Sequence, residues 1–292
     1  MSERLILFVV ACAASIAQGT PPRSAQMQEK FADLPGVRLS YRDSGGSGIP
    51  VVFLHAATGS SRVWEHQEPA FTAAGYRFIA YDRRGFGQTV VNQSSAATAT
   101  GVDDLRALME HLRIDRFHLV GTAAGAFVGI DYALSFAQQL RSIVIANTIG
   151  GVQDDEFLEL GRRIRPPAFA TLPPDFRELG PSYRASNPEG TKRWLDLERT
   201  SRAGGAANHA GTPAPTQPMR NKVTFASLET LATPTLLLTG DADLYAPPAV
   251  MRLFAARIRN AESLVIAEAG HSAYWEQPET FNRAVLDFIR KH

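Results

Sequence analysis

The sequence predicts an α/β protein: a mostly parallel, doubly wound β-sheet with helices on both faces and an inserted helical cap. Short runs rich in β-branched residues alternate with amphipathic helical stretches, which is typical of βαβ units. The alternation stops after residue 150 and resumes near residue 235. The 292 residues are 45% hydrophobic and 20% charged, an ordinary soluble composition that suffices for one large domain.

The first part of the core is expected at residues 37–150. The helix at 102–114 is the clearest element, because Leu105, Leu108 and Leu112 form an apolar stripe at helical spacing. Strands are predicted at residues 37–41, 50–54, 77–81, 117–121 and 142–147, and helices at residues 61–74, 102–114 and 125–140.

A helical cap is expected at residues 151–225. This segment has no apolar run typical of a buried strand, it is rich in proline between residues 166 and 188, and residues 190–202 form a polar helical stretch. The second part of the core follows at residues 226–292. Strands are predicted there at residues 235–238 and 263–266, and helices at residues 248–258 and 278–290.

The first residues indicate a targeting segment. Residues 1–17 combine an early arginine, an apolar run and small residues near Ala17, the order of a secretory signal peptide. A polar spacer is expected at residues 18–36. Two alternatives stay open: a buried first helix or strand, and a lipoprotein-like cleavage box that would make Cys12 the lipidated residue. We expect export to the periplasm or secretion, since cleavage after Ala17 would leave no cysteine, which suits an oxidising compartment.

Charge and cysteine content exclude several partners. The chain has 30 Lys+Arg against 29 Asp+Glu, so a formal net charge of +1 leaves no basic surplus for binding nucleic acid. The only cysteine, Cys12, cannot form an internal disulfide, and no Cys/His cluster has the spacing of zinc ligands. The apolar run at the start is too short for a stable membrane span.

A strand leads into a helix through small residues at positions 121–125, Gly-Thr-Ala-Ala-Gly. Such a turn exposes its central side chain at the end of the strand, and the next amide, at a helix N-terminus, stabilises negative charge. The central residue is Ala123, where a G-x-S-x-G nucleophile elbow would have serine. Thr122 does not replace that serine, because its side chain is expected to point away from the site.

Two later strands end in side chains suited to acid–base chemistry. One strand runs into residues 240–243 (Gly-Asp-Ala-Asp), and the other runs into residues 268–271 (Glu-Ala-Gly-His). The resulting chain order is a nucleophile position, an acid and a histidine, each at the carboxyl end of a strand. We expect Asp243 to be the acid, in preference to Asp241, and His271 to be the general base.

Four motifs in this order resemble the α/β-hydrolase superfamily. The likeness is greatest to its capped branch, which includes meta-cleavage-product carbon–carbon hydrolases, small-molecule esterases, haloperoxidase-like proteins and epoxide-hydrolase-like proteins. The resemblance covers the chain from about Val37 to the C-terminus apart from the cap. The motifs are residues 55–64 (HAATGSSRVW), 81–88 (YDRRGFGQ), 240–243 (GDAD) and 270–276 (GHSAYWE).

The resemblance implies a role for each matching position. Asp243 matches the acid that orients the histidine, His271 matches the general base, and the backbone amides of Ala57 and Ala124 would form the oxyanion hole. Ala123 departs from the family pattern, which has the nucleophile there. The family hydrolyses an ester, or a carbon–carbon bond next to a ketone, in a small molecule, and it needs no metal or organic cofactor.

Three residues are expected to contact the substrate: Arg162, Trp64 and Tyr274. Trp64 and Tyr274 would line the pocket or, alternatively, pack in the core. Arg162 lies with Arg163 and Arg165 on a charged stretch of the cap. That stretch is either solvated or turned into the cleft, where an arginine would pair with a substrate carboxylate through its bidentate guanidinium.

Ala123 excludes catalysis through a covalent intermediate at this position, because a methyl group cannot attack a carbonyl. Two explanations stay open: a Ser→Ala change introduced to trap a substrate, and a natural alanine. A natural alanine would leave His271 and Asp243 to work by acid–base chemistry alone, by activating water, in a lyase or isomerase step, or in a cofactor-free oxygenation. The alternative outside enzymes is a protein that binds a ligand without turning it over.

Overall fold

The computed structural model describes residues 28–92, 99–148, 151–203, 215–259 and 261–292. The signal peptide expected at residues 1–17, with Cys12, and the start of the expected spacer lie outside these ranges. Within them, the chain folds around one central sheet with helices, the class that the sequence predicts. No helix within these ranges is both long and apolar enough to cross a membrane.

The described strands form a single sheet. In chain order they are β1 (Glu29–Leu34), β2 (Val37–Asp43), β3 (Pro50–Leu54), β4 (Arg77–Tyr81), β5 (Val90–Val91), β6 (Phe117–Thr122), β7 (Leu140–Ala146), β8 (Thr235–Gly240) and β9 (Glu262–Ile266). The order across the sheet is β1-β2-β4-β3-β6-β7-β8-β9, with β5 paired to β2. Strand β2 is antiparallel to its neighbours β1, β4 and β5, and every pair from β4 to β9 is parallel.

Helices connect the strands and fill one long insertion after β7. In chain order they are α1 (Gln67–Ala73), α2 (Gly101–Leu112), α3 (Ala124–Phe136), α4 (Asp155–Ile164), α5 (Pro174–Glu178), α6 (Pro181–Ser186), α7 (Pro188–Arg199), α8 (Phe225–Leu228), α9 (Pro248–Ala255), α10 (Ala273–Glu276) and α11 (Pro278–Ile289). Helices α4 to α7 lie between β7 and β8, where the sequence predicts the cap. We call residues 151–203 the lid.

The central strands of the sheet are buried on both faces, which makes the sheet doubly wound. Side chains alternate between the faces along a strand, and β3 shows this directly. Val52 and Leu54 join the hydrophobic cluster that includes residues of α2, α3 and α9. Val51 and Phe53 join the opposite cluster, which includes residues of α1 and α11.

Strand β1 corrects the expected spacer at residues 18–36. It runs from Glu29 to Leu34 and pairs with β2 along its whole length. Its polar sequence did not predict a strand because β1 lies at the edge of the sheet, where only Ala32 is buried. The helix expected at residues 125–140 also ends earlier, at Phe136, and β7 begins at Leu140.

Candidate active site

Three loops at one edge of the sheet carry the expected catalytic residues. Ala123 follows β6, Asp243 follows β8 and His271 follows β9. Strands β6, β7, β8 and β9 are parallel neighbours, so their carboxyl ends meet at this edge. Asn147, which follows β7 and completes the set, was not among the residues predicted from the sequence. Its position at the end of a buried strand was a usable signal.

Ala123 occupies a strained backbone position just before α3. Its φ of 48° and ψ of −120° lie outside the regions that residues with a side chain normally adopt. The surroundings impose this bend, because the Ala123 amide donates to the Ala146 carbonyl oxygen at 2.9 Å. At Gly125, an added Cβ would lie 2.2 Å from the Leu54 carbonyl oxygen, so only glycine allows this approach of α3 to β3. The backbone at Ala123 therefore has the strained bend of a nucleophile elbow, although its side chain carries no nucleophilic atom.

The Asp243 carboxylate holds the His271 ring through its Nδ1 atom, at 2.9 and 3.0 Å. Asp243 also accepts hydrogen bonds from the amides of Tyr245 and Ala246, at 2.8 and 2.9 Å, and from the Asn147 side chain at 3.1 Å. Burial alone would raise the pKa of Asp243, but the His271 charge and these hydrogen bonds hold it below its usual value. Asp243 is thus a carboxylate, and Nε2 of His271 is left as the base.

His271 has an environment that strengthens it as a base. Burial alone would lower the pKa of the imidazole, but the carboxylates of Asp243 and then Glu178 raise it above its usual value. Asp241, the competing candidate for the acid, accepts the Ala269 amide at 3.2 Å and closes a turn. The geometry thus pairs the histidine with Asp243.

A cavity of about 1160 Å³ lies between this edge of the sheet and the lid. Ala57, Ala123, Ala124 and His271 line its inner side, so the expected base, the elbow and both expected oxyanion residues share one space. The charged residues of its wall come from the lid, where arginines outnumber glutamates. They are Arg162, Arg165, Arg177, Glu178, Glu198, Arg199 and Arg202.

Trp64 and Tyr274 do not line this cavity, so the expectation that they contact the substrate is wrong. Both are buried in the core, with their ring centroids 4.7 Å apart, and the Trp64 ring also packs on Phe53. Core and pocket both favour aromatic side chains, so residue type alone could not separate the two alternatives.

Arg162 reaches the cavity but has another partner. Its guanidinium lies 2.9 Å from the Glu159 carboxylate one turn away on α4, and its side chain is 67% exposed. Arg165 lies deeper, with its guanidinium 5.8 Å from the centroid of the Tyr245 ring. Arg162 therefore matches the solvated alternative better than a substrate contact.

Arg83 and Arg202 carry N–H groups that have no hydrogen-bond partner among the described residues, as does Arg177 on the cavity wall through its Nε. The guanidinium groups of Arg83 and Arg202 both lie over the Phe86 ring, 4.8 and 5.2 Å from its centroid. Nε and Nη2 of Arg83, and Nε and Nη1 of Arg202, have no hydrogen-bond partner in the described part of the chain. Burial lowers the pKa of Arg83 to about 10, and the like charge of Arg202 acts in the same direction. Buried cations of this kind favour an anion beside them.

His55 has a structural role rather than a catalytic one. Its Nε2 accepts the Arg83 amide at 3.1 Å, and its Nδ1 donates to the Ala56 carbonyl oxygen at 2.7 Å. Burial lowers the pKa of this imidazole well below its usual value, so it stays neutral and holds the loop of Ala57. Within the described ranges, no three His, Cys, Asp or Glu side chains form a group that could hold a metal ion.

Three further residues of the cavity are not predicted by the sequence motifs: Glu178, Tyr245 and Arg202. Tyr245 lies two residues after the expected acid, Asp243, so its closeness to the motif at residues 240–243 was a usable signal. Glu178 and Arg202 lie on the lid, which has many charged residues, and only three-dimensional packing decides which of them face the cavity.

Residues 49–278 match the model of the family described as alpha/beta hydrolase fold. Because this match spans most of the chain, the chain belongs to the α/β-hydrolase family, whose members include enzymes that act on small molecules. The family membership predicted from the four motifs is confirmed.

Individual relatives cover nearly the same residues. BpoC of Mycobacterium tuberculosis, provisionally named a non-heme bromoperoxidase, is 32% identical over 264 residues, which are 87% of this chain and 98% of the relative. The 2-hydroxy-6-oxononadienedioate/2-hydroxy-6-oxononatrienedioate hydrolase of Paraburkholderia xenovorans is 26% identical and spans 87% of this chain and 91% of its own length. A thermophilic esterase from Thermogutta terrifontis, solved with malate bound, is 27% identical with a TM-score of 0.72, over 90% of this chain and 98% of that one.

Proposed function

We propose that this chain hydrolyses a small anionic carbonyl compound, either an ester or a ketone at an adjacent carbon–carbon bond, by direct attack of water. One observation carries the proposal: the His271–Asp243 pair is intact in a cavity where Ala123 offers only a methyl group. The base is therefore present and the protein nucleophile is absent.

Water replaces the missing hydroxyl in this mechanism. Nε2 of His271 removes a proton from a water molecule, whose oxygen then bonds to the carbonyl carbon of the substrate. The Asp243 carboxylate holds the ring and stabilises the imidazolium that forms. The backbone amides of Ala57 and Ala124 would bind the oxyanion.

The charges at the cavity support an anionic substrate. Arg202 lines the cavity, and beside it Arg83 is buried with N–H groups that lack a hydrogen-bond partner among the described residues. The two guanidinium charges make this side of the cavity positive, and Arg202 offers the bidentate fork that a substrate carboxylate fits. The relative from Paraburkholderia xenovorans is named for a dioate, which is also an acid.

The first test compares the unmodified chain with His271→Ala and Ala123→Ser on p-nitrophenyl hydrogen succinate. We expect turnover without a burst of p-nitrophenol in the unmodified chain, and a loss of about 100-fold or more in His271→Ala. Hydrolysis that appears only in Ala123→Ser would instead indicate a disabled serine hydrolase. If both the unmodified chain and Ala123→Ser bind the ester but do not hydrolyse it, the protein is a receptor.

The second test concerns the charge of the substrate. In Arg202→Ala, we expect KM for the succinate half ester to rise by about tenfold or more, because charged hydrogen bonds are lost, while KM for the neutral p-nitrophenyl butyrate changes little. Arg162→Ala is the matched control and should change neither KM. Equal changes for both esters in Arg202→Ala would contradict the anion site.

A further inference from the structure

Glu178 is an acidic side chain that the lid places at the catalytic histidine. It is the last residue of α5, only 4% of it is exposed, and it lines the cavity together with His271 and Tyr245. The Tyr245 ring lies against the His271 ring, with centroids 4.2 Å apart. A carboxyl group so buried beside the base has a role in packing or in the reaction.

Hydrogen bonds from backbone amides to the side chain of Glu276 hold the lid segment next to Glu178 against the loop of His271. The carboxylate of Glu276 accepts the amide of Gly180 on the lid at 2.6 Å, and the amides of Gly270 and Ser272 on the loop of His271 at 2.9 and 3.2 Å. Only glycine suits position 180, since an added Cβ would lie 2.9 Å from the Gly270 nitrogen. We call these three hydrogen bonds the Glu276 clamp. It anchors the lid two residues after Glu178.

The polar surroundings of Glu178 suit a group that gains and loses a proton. Its carboxyl interacts with the Tyr245 hydroxyl, which also accepts a hydrogen bond from Nη1 of Arg177 at 3.2 Å. Burial raises the pKa of Glu178, while the charges of His271 and Arg177 act against this shift. The protonated form of Glu178 is thus more accessible than that of an exposed glutamate.

We propose that Glu178 is the catalytic acid, which donates a proton to the leaving group while His271 acts as the base. This role rests on the proposed hydrolysis by water. Direct attack by water makes one bond and breaks another at the same carbon, and a separate acid and base can serve the two atoms at once.

The steps balance as the addition of one water molecule. His271 takes a proton from water, and the water oxygen forms a bond to the carbonyl carbon. The bond from that carbon to the leaving atom breaks, its electron pair goes to the leaving atom, and that atom takes the proton of Glu178. The imidazolium of His271 then returns a proton to the Glu178 carboxylate, which restores both groups.

Two esters with the same anionic acyl group test this role, because their leaving groups differ in their need for a proton. p-Nitrophenolate leaves readily without one, whereas ethoxide does not. In Glu178→Gln, we expect kcat for monoethyl succinate to fall by about 100-fold or more, and kcat for p-nitrophenyl hydrogen succinate by about threefold or less. Glu198→Gln is the matched control on the same cavity wall, and we expect it to preserve the ratio of the two rates.

The possible outcomes separate this role from the proposed function. Equal losses on both esters in Glu178→Gln would overturn the acid role and leave hydrolysis by water standing. If the unmodified chain hydrolyses neither ester, both the acid role of Glu178 and the proposed hydrolysis by water are overturned. If Glu178→Gln does not fold, Glu178→Asp keeps the acid but withdraws it by about 1.5 Å. The same selective loss on the ethyl ester is then expected, and an unchanged ratio would overturn the role.

Discussion

His271 stands between two carboxylates, and this sets the pH at which it can work. Burial alone would lower its pKa, but Asp243 and Glu178 raise it above the usual 6.5. A base must be neutral to accept a proton, so its usable fraction grows as the pH rises through this raised pKa. The charged form is also the one that the folded state stabilises, so this contribution to stability is lost over the same range.

With p-nitrophenyl hydrogen succinate, whose leaving group needs no proton from Glu178, we therefore expect kcat/KM to increase from pH 5 and to level off above an apparent pKa that is higher than 6.5. In Asp243→Asn, the midpoint should move to lower pH and the plateau should drop, because the ring loses both its anion and its orientation. Rate measurements between pH 5 and 9 check this. Asp241→Asn is the control, since Asp241 closes a turn, and a midpoint that moves equally in both variants would refute the assignment.

The sequence predicted the central pair of residues better than their surroundings. Asp243 and His271 are identifiable because each ends a strand in a chain order with chemical meaning. Glu178 and Arg202 could not be predicted in this way, because they act from a lid whose sequence does not reveal which face is inward. For Trp64 the sequence cannot separate the pocket from the core, because burial and ligand contact favour the same side chain.

The Glu276 clamp joins two elements, the lid and the loop of His271, through one buried carboxyl group. Burial raises the pKa of Glu276 from 4.5 to about 7, although its three hydrogen bonds lower it. Between these two pH values the folded state holds more protons than the unfolded state. Stability is therefore expected to fall as the pH rises from about 4.5 to about 7.

Glu276→Gln removes this titration. In the unmodified chain, the free energy of unfolding should decrease from pH 5 to pH 8. In Glu276→Gln we expect this decrease to be smaller by about 2 kcal/mol. Urea denaturation at the two pH values measures the difference. Glu279→Gln, at an exposed position of α11, is the control and should keep the pH dependence of the unmodified chain. An unchanged dependence in Glu276→Gln would contradict the raised pKa.

Elements with a buried pattern were predictable from sequence, and elements at the edge were not. Strands such as β3 and β8 are buried along almost their whole length, have apolar residues at their centres and match their expected positions closely. Among the described strands, β1 pairs with β2 alone and buries only Ala32, so its sequence lacks the pattern of a buried strand. Strand β5 consists of Val90 and Val91 and is too short to be distinguished from a loop.

At the level of the whole molecule, the lid and the core share one hydrophobic cluster. Trp194 and Leu197 of α7, and Leu179 beside the Glu276 clamp, belong to the same cluster as Phe281 of α11. The sheet also continues directly from β7 to β8 across the insertion. We expect the lid and the core to unfold together, because neither buries its apolar surface without the other.

The three tryptophans allow this to be measured. In the double variant Trp64→Phe/Trp275→Phe, Trp194 is the remaining tryptophan and reports on the lid. Its fluorescence and the far-ultraviolet circular dichroism should give the same Tm. Trp194→Phe is the complementary variant, in which fluorescence reports on the core. A lid signal that melts well below the dichroism signal would show that the lid is an independent unit.

The strained bend at Ala123 bears on how such a chain can change over generations. Alanine and serine codons differ at a single base, and the neighbouring backbone already supports the geometry that a hydroxyl group would need. One point mutation could thus supply an attacking oxygen with no remodelling of the scaffold. Genetic selection for growth on simple esters should repeatedly recover that substitution.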